Sequence, residues 1–216
     1  MKYAWLALGM MCLLSVDARA GDITKLPMNC KQTPAVATLK YPGENSITTI
    51  NNLATPPGKS EAAAGQLIMF SGRVVDLYCV PVVGASVELW QADPYGKTVY
   101  PDAGSLTGPE PKFAGAGRAY TNNQGRFTFV SVFPGGVGKD AAPKLNVRIS
   151  HPLLAKAYTT SLYFSGERRN AADPVFKRVK DLDKEAVLLK VEPGSNGMLV
   201  VTKDIVVTGN DARKGF

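Results

Sequence analysis

Histidine is nearly missing from this chain: His151 is the only one in 216 residues. Chemistry that needs two imidazoles is therefore out of reach of one copy, and a Ser-His-Asp relay has little to draw on. No nucleophile elbow accompanies it. Long apolar runs are also missing. None reaches the roughly 18 residues of a spanning helix, which excludes a multi-pass membrane protein. Low-complexity tracts and internal repeats are absent, and with 45% hydrophobic and 20% charged residues the chain is not disordered throughout. Cysteine is scarce, at three, whereas Gly (21) and Pro (15) are plentiful enough to punctuate the chain with turns.

The first residues read as an export signal. Lys2 supplies the positive start and residues 4–16 the apolar stretch, too short to span. Ala18-Arg19-Ala20 has the small-x-small form of a cleavage site, so cleavage is expected between Ala20 and Gly21. Cys12 leaves with the signal. Cys30 and Cys79 remain as an even pair in an oxidising compartment, and a disulfide between them is expected, two free thiols being the alternative. The expected address is the periplasm or the extracellular space. The formal charge of +7 loses one unit with Lys2, Arg19 and Asp17, leaving a moderately basic protein. Such a surface suits an acidic partner or plain solvation.

Residues 21–64 are rich in Thr, Pro, Asn and Ala and read as an extended amino-terminal arm. Residues 65–216 read as one β domain. Short segments with period-2 alternation recur over 67–75, 85–90, 126–132, 145–149, 158–164, 186–191 and 198–207. In the second of these Val87 and Leu89 face inward and Ser86 and Glu88 outward. Val83-Gly84, Asn123-Gln124-Gly125, Pro134-Gly135-Gly136 and residues 193–197 are the turns between them. About seven such strands argue an all-β, antiparallel β-sandwich. One helix is admissible within 173–184, where Asp173, Asp181 and Asp183 read as a wet charged run. Residues 92–117 lack periodicity and read as a long loop of the kind that carries function.

Other motifs fall away. Gly135-Gly136-Val137-Gly138-Lys139-Asp140 lacks the Ser or Thr of a phosphate loop and no helix follows. The basic cluster Arg168-Arg169, Lys177-Arg178 and Lys180 comes without any nucleic-acid-reading motif, so no nucleic-acid partner is expected.

Four stretches in register resemble the intradiol ring-cleavage dioxygenases, the protocatechuate branch above all. They are Gly72-Arg73-Val74-Val75-Asp76 with Val87-Glu88-Leu89-Trp90-Gln91-Ala92-Asp93; Phe113-Ala114-Gly115-Ala116-Gly117-Arg118 with Gly125-Arg126-Phe127-Thr128-Phe129; Val132-Phe133-Pro134-Gly135; and Thr159-Thr160-Ser161-Leu162-Tyr163-Phe164. The resemblance implies the family's sandwich and a ferric iron held by two Tyr and two His. Its ligand positions are substituted here. The first Tyr falls on Thr98, two residues after Gly96, and the second on Val137. By strand phase Asn146 and Arg148 point where the imidazoles belong. The family's Arg matches Ala142 and its Gln matches Ser161.

Two classes of function follow. One is an exported non-catalytic module of the cell envelope with no cofactor, binding an envelope protein or a small anionic or aromatic ligand near Trp90, Tyr100, Asn146 and Arg148. The other is an active ferric dioxygenase, with Fe(III) held by a rearranged set drawn from Tyr100, Tyr120 and His151.

Overall fold

The computed structural model of the chain describes residues 30–98 and 110–209. The expected signal segment, its cleavage point at Ala20 and Gly21, and Tyr100 lie outside the described residues.

Among the described residues nine strands form one hydrogen-bonded sheet: Leu67–Val75 (β1), Ser86–Trp90 (β2), Ala116–Tyr120 (β3), Arg126–Val132 (β4), Lys144–Ser150 (β5), Tyr158–Phe164 (β6), Leu188–Pro193 (β7), Leu199–Thr202 (β8) and Ile205–Val206 (β9). The order is β3-β2-β5-β6-β7-β8-β1-β4, with β9 beside β1. A wholly antiparallel arrangement was the expectation. The pairings β1–β4, β2–β3, β2–β5, β5–β6 and β7–β8 are antiparallel, but β1–β8, β1–β9 and β6–β7 are parallel. For β6–β7 the cause lies in residues 165–187. They cross over as two short 3-10 turns and the helix Asp181–Val187 (α1) and re-enter the sheet in the direction of β6.

The core is built by period-2 alternation. Val87 and Leu89 of β2, Leu145, Val147 and Ile149 of β5 and Leu162 of β6 are fully buried. They join Ile68, Phe70, Phe129 and Val201 in one apolar cluster. The opposite face of β2, β5 and β6 carries Glu88, Trp90, Lys144, Asn146, Arg148, Ser161 and Tyr163, because residues two apart on a strand share a face.

Residues 30–53 run alongside the sheet, and residues 37–44 among them cross that polar face. Cys30 is bonded to Cys79, 49 positions away. The Thr33 N–H donates to Val206 O at 3.0 Å. Pro34 and Pro42 hold the residues before them in extended backbone. Gly43, at φ 94°, turns the chain into a short 3-10 turn, Glu44–Ser46. Further on, Arg118 N of β3 donates to Thr48 O, while Val130 N of β4 donates to Asn51 O and Leu53 N to Val130 O. The two edge strands are thereby joined through residues 48–53, and neither offers a bare edge along that length.

Strand β3 and the start of β7 differ from the sequence reading, and the expected strand 198–207 divides into β8 and β9. Strand β3 lies partly inside the stretch read as loop, because Ala116-Gly117-Arg118-Ala119-Tyr120 has no apolar alternation to announce it. Helix α1 takes residues 181–187, so β7 begins at Leu188 rather than at residue 186.

Candidate functional site

The polar face of β2, β5 and β6 holds Trp90, Asn146 and Arg148 of the residues singled out from the sequence. Glu88 stands at its centre, 1% exposed. Arg118 of β3 donates to Glu88 Oε1 through Nε at 2.9 Å and through its terminal nitrogen at 2.6 Å. Arg148 of β5 donates to Glu88 Oε2 at 2.9 Å, and the Tyr41 hydroxyl donates to the same oxygen at 2.8 Å. Register explains the grouping, since Glu88 pairs with Arg118 on one side and Arg148 on the other. Burial pushes the Glu88 pKa up. Hydrogen bonds from Arg118, Arg148 and Tyr41 outweigh it and leave the carboxyl below its ordinary value. The Tyr41 phenol moves the other way, up to about 12, through burial and its bond to Glu88.

Arg148 has no free end. Its second terminal nitrogen bonds Glu44 Oε1 at 2.9 Å, and its guanidinium lies 4.9 Å from the Tyr41 ring centre. Asn146 is engaged at both ends of its amide. Its Oδ1 accepts from Leu39 N at 3.2 Å and from Ser161 Oγ at 2.9 Å, and its Nδ2 donates to Trp90 O at 3.0 Å. Trp90 is fully buried. Its indole N–H reaches Leu39 O at 3.3 Å, and its ring and that of Tyr41 form a T-shaped pair with centroids 5.4 Å apart. Trp90, Asn146 and Arg148 are thus brought together beneath residues 37–44 of the chain itself.

Lys144, two residues before Asn146 on the same face, went unremarked in the sequence. Its ammonium, almost fully buried, lies 3.0 Å from Asp173 Oδ2 and 3.4 Å from the Tyr163 hydroxyl. Asp173 was read as part of a wet surface, and that reading is corrected: it is 0% exposed. It also accepts the N–H groups of Ala142, Val175 and Phe176. Burial raises its pKa, but those N–H groups and Lys144 bring it below the usual carboxylate range. The signal available beforehand was a lysine within an apolar strand, in phase with Asn146.

The two loops that match the family's tyrosine positions are locked together. Gly96 has φ 77°, and a Cβ there would lie 2.3 Å from Gly136 O. A Cβ on Gly135 would lie 2.3 Å from Gly96 N. Asp93, at the foot of the loop, accepts from the N–H groups of Tyr95, Lys97 and Glu110. Thr98 is buried, and its hydroxyl has no partner among the described residues.

The rearranged set fares differently. Tyr120 is 56% exposed. It pairs with Ser86, at the end of β2 away from Trp90. His151 follows β5 at that same end, and its Nδ1 accepts from Leu153 N at 3.2 Å. Residues paired to opposite sides of one strand are about 10 Å apart.

Ferric iron wants phenolate, imidazole or carboxylate oxygen and nitrogen donors. At the β5 positions it would meet an ammonium, a guanidinium and an amide whose oxygen is already occupied, while the Glu88 carboxylate beside them is held by Arg118 and Arg148 and that of Asp173 by Lys144. Lysine and arginine present donors only. Among the described residues no group of three or more His, Cys, Asp or Glu is placed to hold a metal ion. The polar face of β5 does not fit the iron of the family.

Known proteins place the fold. A family model described as Dioxygenase matches residues 45–209. The alpha chain of protocatechuate 3,4-dioxygenase from Burkholderia cepacia is 31% identical over 167 residues, covering 75% of this chain and 82% of that one. A candidate dioxygenase of Rickettsia conorii is 36% identical over 118 residues, 51% of this chain; the match spans 56% of that relative's length. Among solved structures, an intradiol ring-cleavage dioxygenase from Tetranychus urticae superposes with a TM-score of 0.66 at 21% identity, covering 84% of this chain and 95% of that one. The dioxygenase domain of a carbohydrate-binding fusion from Streptomyces sp. SirexAA-E gives 0.62 at 25% identity, over 82% and 99%. With the matched strands, the four motifs in register and the shared topology, this chain belongs to the intradiol dioxygenase family.

Proposed function

We propose that the protein is an exported, non-catalytic member of this family, a β-sandwich that serves the cell envelope as a binding or structural module. One observation carries the reading: the face from which imidazoles would reach iron presents Lys144, Asn146 and Arg148, each engaged by the chain's own side chains and backbone. Export is supported by the signal-like first 20 residues and by the Cys30–Cys79 bridge, which suits an oxidising compartment.

The reading is tested by oxygen uptake. Protein produced with iron supplied is expected to consume no oxygen with catechol, hydroxyquinol or protocatechuate. Sustained turnover of any of the three, abolished by Tyr120→Phe or His151→Ala, would favour the rearranged ferric site instead. Among the described residues no helix is long and apolar enough to cross a membrane.

A further inference from the structure

The crossover between β6 and β7 builds a groove of about 580 Å³, none of whose lining residues belongs to the polar face of β5. Small-ligand sites occupy roughly 300–1,000 Å³. The walls are pinned by short-range bonds. Glu167 accepts the Arg169 N–H and starts the turn Arg168–Ala171. Asn170 Nδ2 donates to Phe164 O at 2.8 Å and ties that turn to the end of β6. Asp173 accepts the N–H groups of Val175 and Phe176 and sets the turn Phe176–Arg178. Lys184 of α1 and Leu188 of β7 complete the lining.

Three cations line the groove: Arg168, Lys177 and Lys184. Arg168 and Lys177 have no ion pair among the described residues. Lys184 lies 2.6 Å from Asp181 Oδ1 and 5.7 Å from the Phe176 ring centre. The one lining carboxylate, Glu167, is turned to Arg169 Nε at 3.1 Å. Asn170 adds an independent observation. It lines the groove and is 8% exposed, and its Oδ1 has no partner among the described residues. A buried acceptor left unpaired calls for an explanation. The cations ask for an anion, and the amide oxygen asks for a donor on the same ligand. An ammonium donor would be repelled by the three cations, so the donor is a neutral hydroxyl. Phe176, the one aromatic ring on the groove, is already packed on Tyr163 at 4.9 Å and is no open platform for a nucleic-acid base.

We propose that this groove binds an acidic saccharide: the carboxylate of a sugar acid meets Arg168 and Lys177, and a hydroxyl of the same ring donates to Asn170 Oδ1. A sugar acid carries both groups on one small, rigid frame. The site goes beyond the non-catalytic reading and does not depend on it, because none of its residues lies on the face that would hold iron.

The test is calorimetric titration of the full chain with galacturonate and with trigalacturonate, which distinguish a free sugar acid from a unit of a longer acidic chain. Saturable binding of at least one is expected. Galactotriose lacks the charge, and inorganic phosphate and a triglutamate peptide lack the sugar hydroxyl, so each should bind at least about tenfold more weakly. Arg168→Ala combined with Lys177→Ala should weaken the sugar acid by about tenfold or more, through loss of charge-assisted hydrogen bonds. Arg178→Ala combined with Lys180→Ala removes the same charge from the same crossover but outside this groove, and should leave binding unchanged. All four side chains are exposed, so both double variants should unfold thermally like the parent. No saturable binding, binding of any control within about tenfold of the sugar acid, or equal losses in the two double variants would overturn the proposal.

Discussion

Glu88 and Asp173 sit where sequence pattern sends a side chain to water, yet both are buried. Alternation along a strand reports which residues share a face. It does not report what later lies on that face. Glu88 is covered by residues 41–44, some 45 positions upstream, and Lys144 by Asp173, 29 positions downstream. Pairings at that distance leave no local trace, whereas the contacts of Asn146 with Trp90 and Ser161 and of Arg148 with Glu88 follow once the register is known. The Lys144–Asp173 pair gives a direct test. Lys144→Met strands a buried carboxylate and should cost about 3–5 kcal/mol in urea unfolding, while adding Asp173→Asn should recover part of that loss. A double variant whose loss equals the sum of the two single losses would show no coupling. Asp173 and Glu88 both titrate below their unfolded values. Their contribution is therefore present above about pH 4 and is lost as pH falls through the folded values. Glu88→Gln should flatten the acid limb of the stability profile, and an unchanged limb would contradict the assignment.

Strands with strong alternation were legible to within a residue or two: β1, β4 and β6 match the expected spans, and β5 extends by one residue at each end. Strand β3 was hidden by its small residues and glycine. The last expected strand divides into β8 and β9 at Lys203-Asp204, where Asp204 holds the Arg73 guanidinium and backbone. The glycine contact between the two former tyrosine loops is sharper than either sequence motif. Gly96→Ala places a methyl 2.3 Å from a carbonyl at positive φ. It should cost about 2 kcal/mol or more by thermal unfolding. Gly138→Ala, also at positive φ but with nothing within 4 Å, should cost about 1 kcal/mol. Equal losses would mean that the close approach is relieved by the loops moving apart. The expected disulfide is formed, and it ties residues 30–33 to the sheet. Cys30→Ser opens a 49-residue span and should lower stability by up to about 4 kcal/mol from chain entropy alone. A variant as stable as the parent would mean that the hydrogen bonds of residues 33–41 hold the segment unaided.

At the scale of the whole molecule the scaffold was the legible part, since the four motifs are turn and strand positions that the fold itself requires. On the proposed non-catalytic reading, fold and chemistry have separated in this chain. The sheet of the family persists, and its polar face is closed by an ion pair from one side and by the amino-proximal segment from the other. The site positions could be listed from the sequence as substituted. Their engagement by the chain's own segments could not, because it depends on strand order and on a segment crossing three strands. The measurement that bears most directly on this is the iron content of the purified full chain, produced with iron supplied, together with its visible absorption spectrum. The expected result is no stoichiometric iron and no phenolate-to-iron charge-transfer band. One iron per chain with such a band would mean that this face, or another set of donors, still holds the metal, and the non-catalytic reading would fall.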